Sequence, residues 1–132
     1  MFRSKATAYA ILAAAEVAGR SKGQNRAEVQ SAAIAEAHDL PVAYASKVMG
    51  QLAKARVLRS VRGPRGGFTL ARPANQITLL EIFEAVQGKL GEGDAPELPA
   101  AIGRRVNAAL NGVAEVIRQR LGAVTLASLT KK

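Results

Sequence analysis

Between Leu40 and Leu80 the chain carries seven basic residues, Lys47, Lys54, Arg56, Arg59, Arg62, Arg65 and Arg72, and no acidic one. Clustered guanidinium and ammonium groups neutralise phosphate and release its counterions, so this block has the chemistry of polyanion binding rather than of bond making. Its most informative string is Arg62-Gly63-Pro64-Arg65-Gly66-Gly67-Phe68. Glycine admits positive φ and leaves little bulk, so the tip of such a loop can approach a sugar-phosphate surface while two arginines point into a narrow, negative groove. A solvated basic face and a plain glycine-rich hairpin turn are the competing readings of these residues taken alone.

Other chemistries find little footing. The chain has no cysteine, which excludes a disulfide framework, a thiolate zinc site, a cysteine nucleophile and an all-thiolate iron–sulfur cluster. Its one histidine, His38, falls at the end of a short helix, where capping is expected rather than metal binding or catalysis. No nucleophile stands beside a base in a recognisable context, so an enzyme is not expected. Gly88, Gly91 and Gly93 match neither a dinucleotide-binding nor a P-loop spacing, and they follow a helix rather than a strand. Glu92, Asp94 and Glu97 are hard oxygen donors suited to calcium or magnesium, but their spacing promises no site and linker solvation is expected of them. No metal site and no cofactor are expected.

The elements that must position the basic block can be read from periodicity and turn residues. With 132 residues and a net charge of +9, the chain fits one ordinary basic domain with an appended helix. Aromatics are only 4% of residues, so its core must be aliphatic. Arg3 and Lys5 before the apolar run Ala8 to Ala15 superficially resemble a secretory signal. Glu16 closes that run early, however, and Tyr9, Leu12, Ala13, Glu16, Val17 and Arg20 read as one amphipathic helix. No segment approaches the roughly 18 apolar residues of a membrane span, so no membrane partner and a cytoplasmic location are expected.

The first helix is expected over Ser4 to Gly19, capped by Ser4 and ended by Gly19, with a polar loop from Ser21 to Glu28. A short second helix starts near Ser31 and ends around His38 and Asp39. Pro41 suits the first position of a third helix, continued from Val42 to Ala55 with Val48, Leu52 and Ala55 inward. Strands over Val57 to Ser60 and Phe68 to Leu70 flank the loop Arg62 to Gly67, making a hairpin after a helix-turn-helix. After a turn from Arg72 to Gln76, Thr78 caps a helix with Leu79, Ile82, Phe83 and Val86 on one face, ended by Gly88. Glu81 to Glu97 carries five acids against Lys89 alone, as expected of a part that faces away from a polyanion.

Lys89 to Pro99 reads as linker. The last helix then carries Ile102, Val106, Leu110, Val113, Ile117, Leu121 and Val124 at steps of three and four, opposite Arg104, Arg105, Glu115, Arg118 and Arg120. Such a stripe could pack on its own domain, on a second copy of the chain or on a membrane, and the second copy is the expected partner.

Taken together, these residues resemble the Rrf2-type bacterial transcription regulators, which are dimeric winged helix-turn-helix proteins. The resemblance covers nearly the whole chain. It rests on Tyr9-Ala10, Ile34-Ala35, Leu40-Pro41 with Tyr44, and Ile77-Thr78-Leu79, and above all on Ser60-Val61-Arg62-Gly63-Pro64 with Gly66-Gly67-Phe68 in the wing. Thr125-Leu126-Ala127-Ser128-Leu129 is similar to the family's closing Thr-Leu-x-x-Leu. The resemblance implies that the helix from Val42 enters a major groove while the wing reaches the neighbouring minor groove. Tyr44, Ser46 and Lys47 would then meet base edges or phosphates, with Lys54 and Arg59 on the backbone; half-buried packing for Tyr44 and a plain surface position for Ser46 are the competing readings.

Two departures from the family pattern stand out. Members that sense nitric oxide or iron–sulfur status usually place three cysteines in the linker, and here there are none, which implies a cluster-free subgroup. Arg56 stands where the family often has the glycine that ends the recognition helix, so it must avoid or tolerate the left-handed conformation. Ala43 and Ala45 also make the recognition surface plain.

The expected fold is mainly α: a winged helix-turn-helix of a three-helix core plus a two-stranded β wing, with an additional helix and a long C-terminal dimerisation helix. The expected division is a DNA-binding domain over 1–87, a flexible linker over 88–99, and the dimerisation helix and tail over 100–132. The expected function is a sequence-specific repressor that binds double-stranded DNA at an inverted repeat as a homodimer. Its DNA contacts are assigned to Tyr44, Ser46, Lys47 and Lys54 of the recognition helix and to Arg59, Arg62, Gly63, Arg65 and Gly66 of the wing. Its dimer contacts are assigned to Val106, Leu110, Val113, Ile117 and Leu121. A nonspecific architectural or RNA-associated module is the alternative. An effector molecule or partner protein stays open, and regulation is expected to alter the placement of the two DNA-binding heads through the linker.

Overall fold

Alanine dominates the first helix, and its small side chains let neighbouring elements approach closely. The computed structural model describes residues 4–20, 28–63, 66–89 and 98–131. Helix α1 (Lys5–Arg20) buries Thr7, Ala10, Ala13, Ala14, Val17 and Ala18 on one face. Ser4 caps it, its Oγ accepting from the Thr7 N–H at 3.2 Å. Gly19 does not end the helix as expected, since Arg20 is still helical and ion-pairs with Glu16 one turn back at 3.3 Å. Of the expected polar loop from Ser21 to Glu28, residues 21–27 lie outside the described residues.

Helices α2 (Ser31–Ala37) and α3 (Val42–Lys54) form the helix-turn-helix pair. His38 is the C-cap residue of α2, and its N–H donates to the Ile34 carbonyl at 3.1 Å. Asp39 turns the chain with φ +52°, a left-handed conformation that Asp tolerates better than most residues. Pro41 sits one position earlier than expected, as the N-cap with extended ψ 137° rather than as the first helical residue. Its carbonyl accepts from Tyr44 and Ala45, both at 3.1 Å.

Strands β1 (Leu58–Val61) and β2 (Gly67–Leu70) form an antiparallel hairpin pairing Leu58 with Leu70 and Val61 with Gly67. A single 3-10 turn over Ala74–Gln76 leads into α4 (Leu79–Gln87). Thr78 caps α4 as expected, and Glu81 completes a reciprocal capping box, its Oε2 accepting from the Thr78 N–H at 2.9 Å. Gly88 ends the helix at φ +83°.

Helix α5 (Ala100–Gly122) runs 23 residues, about 34 Å, and a four-residue helix α6 (Leu126–Leu129) follows. Val124, expected on the α5 stripe, lies beyond its end in a turn. There Val124 and Leu126 pair with the start of α4: the Leu79 N–H donates to the Val124 carbonyl and the Leu126 N–H to that of Ile77, both at 2.8 Å. The tail from Val124 is therefore built into the same core as the head.

That core is almost wholly aliphatic. Ile34, Met49, Leu52, Leu58, Ile77, Ile82 and Leu126 are its largest fully buried side chains, closed on one side by the small residues of α1. The fold is mainly helical with one two-stranded sheet: three core helices, a wing, an additional helix and a long C-terminal helix.

Candidate nucleic-acid interface

Helix α3 is amphipathic in a way that separates packing from presentation. Ala45, Val48, Met49 and Leu52 are buried, whereas Val42, Ala43, Ser46, Lys47, Gly50 and Lys54 form an exposed stripe at helical spacing. Ser46, Lys47 and Lys54 thus stand together on one solvent-facing surface. Tyr44 does not fully share it. The ring is half-buried against Tyr9 of α1, edge to face with centroids 5.5 Å apart, and packs on the core.

Ala43, expected on the recognition surface, is joined on the exposed stripe by Val42 and Gly50, which residue type alone does not single out, whereas Ala45, expected beside it, is buried because it falls on the packed face of the helix. Val42 and Ala43 offer methyl groups of the kind that contact thymine methyls, and Gly50 leaves open space where a Cβ would stand. The signal was the spacing of the buried residues, which fixes the complementary face.

The wing follows α3 through a strained corner. Arg56 adopts φ +63°, so this residue tolerates the left-handed conformation that a glycine would take without penalty. Arg72 supports the corner: its Nε donates to the Arg56 carbonyl at 3.5 Å and one terminal nitrogen to the Gln76 carbonyl at 2.9 Å. The other terminal nitrogen donates to Glu81 at 2.6 Å. Arg72 is therefore committed to the fold, although the sequence counts it with the basic block.

Among the described residues of that block, Lys47, Lys54, Arg56, Arg59 and Arg62 are exposed and make no ion pair. Arg62 and Gly63 are exposed at the wing's start, and Gly63 has φ +143°, a backbone that side chains rarely adopt. Arg65 and Pro64 lie outside the described residues.

Gly66 and Gly67 are held by packing. A Cβ on Gly66 would stand 2.7 Å from the Val61 carbonyl oxygen, and one on Gly67 would stand 2.9 Å from that of Val29. The second contact exists because Val29 and Phe68 exchange two backbone hydrogen bonds at 2.9 Å, adding a one-residue rung to the hairpin. The wing is thereby tied to the segment that precedes α2.

The stripe assigned to dimer contacts divides. Leu110 is 60% and Val113 57% exposed, and Ile102 and Val116 are similarly open. Val106, Ile117 and Leu121 are half-buried, and Ala114 is the only buried residue of α5.

Comparison with known proteins places this architecture. A family model described as "Rrf2: Iron-dependent Transcriptional regulator" matches residues 3–132. The chain belongs to the Rrf2 family. Among its curated relatives, the HTH-type transcriptional regulator IscR of Cereibacter sphaeroides is 37% identical over 79 residues, 60% of this chain and 50% of that one. BadM of Rhodopseudomonas palustris, also of HTH type, is 31% identical over 107 residues, 79% of this chain and 67% of that one. The chain spans about half the length of IscR. Of the solved structures, CymR of Staphylococcus aureus has a TM-score of 0.67 at 27% identity, covering 98% of both chains. CymR of B. subtilis has a TM-score of 0.71 at 20% identity, covering 98% of this chain and 96% of that one, a likeness of fold. This Rrf2 chain has the winged helix-turn-helix fold.

The family description names iron, and the donor set of this chain can be tested against it. The chain supplies no thiolate and a single imidazole. Among the described residues no three His, Cys, Asp or Glu side chains group so as to hold a metal ion. A cysteine-ligated iron–sulfur cluster does not fit this Rrf2 member. Among the described residues, no helix is long and apolar enough to cross a membrane.

Proposed function

We propose that this Rrf2 regulator is a cytoplasmic repressor that binds an inverted-repeat operator in double-stranded DNA as a homodimer. The observation that carries the reading is the pairing of a solvent-facing stripe, Ser46, Lys47 and Lys54 on α3, with wing cations Arg59 and Arg62 that form no ion pair among the described residues. The α3 stripe reads base edges in the major groove, and Arg62, Gly63 and Arg65 reach the adjacent minor groove. Lys54 and Arg59 hold phosphates. Tyr44, its ring held by Tyr9, sets the seat of α3 on α1 and reads bases only with its exposed part. Gly66 acts by shaping the wing. Val106, Leu110, Val113, Ile117 and Leu121 meet their counterparts on a second chain, whose two-fold symmetry the operator mirrors. Residues 1–87 and the tail form the head, and 88–99 connects it to α5.

The deciding experiment is selection of bound fragments from the source genome by purified protein at about 0.15 M salt, followed by sequencing. An enriched inverted repeat is expected. Tight, salt-sensitive binding that enriches no sequence would replace the operator reading with a nonspecific architectural one.

A further inference from the structure

The C-terminal tail does more than close the core, because it forms one wall of a groove of about 670 Å³ whose other wall is the base of the wing. Thr69 and Leu70 of β2, and the chain that runs on to Ala74, face Ala127, Thr130 and Lys131 of the tail. Arg59 of β1 and Glu28 also border the groove. Its size is that of a small-molecule site.

The lining sorts by chemistry. Leu70, Pro73, Ala74 and Ala127 supply hydrocarbon, and Thr69 and Thr130 supply hydroxyls. The Thr130 hydroxyl donates within the tail, to the Leu126 or Ala127 carbonyl at 3.2 Å, which leaves its oxygen free to accept. Arg72 borders the groove, but its guanidinium is balanced by Glu81 at 2.6 Å. Arg59 and Lys131 make no ion pair among the described residues, so two uncompensated cations face the single exposed carboxylate of Glu28.

A groove with surplus positive charge beside an aliphatic wall complements a molecule with an anionic head and a hydrocarbon body. A DNA phosphate would use the cations and leave the hydrocarbon wall unmatched. We infer that this groove binds a small amphipathic carboxylate, its head between Arg59 and Lys131 and its aliphatic part along Leu70, Ala74 and Ala127. The site goes beyond the operator reading and shares Arg59 with its phosphate contacts, so binding of the carboxylate is tested on the protein free of DNA.

The test uses the full chain without DNA, labelled at alanine methyls and titrated with octanoate. Saturable shifts of the Ala71, Ala74 and Ala127 methyls are expected. The same chain length with the opposite charge, n-octyltrimethylammonium, should leave them in place. The exposed pair Arg59→Gln with Lys131→Gln should weaken octanoate roughly tenfold or more, as expected for loss of charge-assisted hydrogen bonds. Arg104→Gln, exposed on α5, should not change it. Shifts that never saturate, or that the cation reproduces, overturn the proposal. So does a duplex that moves these methyls while octanoate does not, because the groove would then be part of a phosphate track.

Discussion

The backbone N–H of Leu126 donates to the carbonyl of Ile77 at 2.8 Å, and both side chains are fully buried. This rung joins the last short helix to the residues that open α4. The segment that follows helix α5 is consequently held to the head at the C-terminal end of that helix. Leu126→Ala should destabilise the chain by about 2–5 kcal/mol, the range for truncating a buried leucine. Urea unfolding should show a lower midpoint at unchanged slope. Leu129, exposed in the same helix, provides the contrast: its truncation should stay within about 0.5 kcal/mol. Equal effects from the two would mean that the tail is not part of the core.

The wing's reach depends on a rung outside its own two strands. Gly67→Ala would place a Cβ 2.9 Å from the Val29 carbonyl oxygen, so the Val29–Phe68 pairing must open or shift. Amide hydrogen exchange at Val29 and Phe68 should accelerate in this variant while that of the core strand residue Leu58 is retained. Unchanged protection at all three would show that the rung adapts without opening.

Arginines of the basic block should divide by employment. Arg62→Ala should weaken duplex binding and reduce the salt slope by roughly one unit, the signature of one lost phosphate contact. Arg72→Ala should leave that slope in place and lower the urea midpoint instead, because its guanidinium joins Arg56, Gln76 and Glu81. A slope change for Arg72→Ala would return it to the phosphate-binding group.

Base reading should be confined to the exposed stripe. Ser46→Ala should relax preference at one operator position by about 1–3 kcal/mol if its hydroxyl reads a base edge. Comparing single-base operator variants in competition assays separates this from a uniform loss, which would make Ser46 a phosphate contact.

Much of this was legible in the sequence because the signals were local. Thr78 opens α4 with its side-chain oxygen and Gly88 ends it at positive φ, both signals of residue type at one position, and the step pattern of Val48 and Leu52 fixes the exposed face of α3. What escaped was long-range. Nothing within Arg72 announces that it will meet Glu81 and the carbonyl of Arg56, sixteen residues back. Val124 continued the apolar period of α5, but Thr125 caps a new helix, its Oγ1 accepting from Ser128 at 3.1 Å, and the chain turns before reaching it. Gly66 and Gly67 were read as room for DNA, whereas their neighbours are carbonyl oxygens of the protein itself.

Helix α5 poses the final test, because its exposed apolar residues are costly in water unless a second chain covers them. Leu110 and Val113 are the most open of the assigned contacts, so a carboxylate there stays solvated in a monomer and is buried in a dimer. Leu110→Glu with Val113→Glu should therefore leave the fold intact and convert the chain to a monomer by sedimentation equilibrium. Operator affinity should fall roughly 10²-fold or more, since two linked half-site contacts become one. Arg105→Glu, also exposed on α5 but outside the apolar stripe, should keep the dimer. A wild-type chain that sediments as a monomer, or a double variant that remains dimeric, would place the interface elsewhere. The apolar face of α5 would then need a heterologous partner.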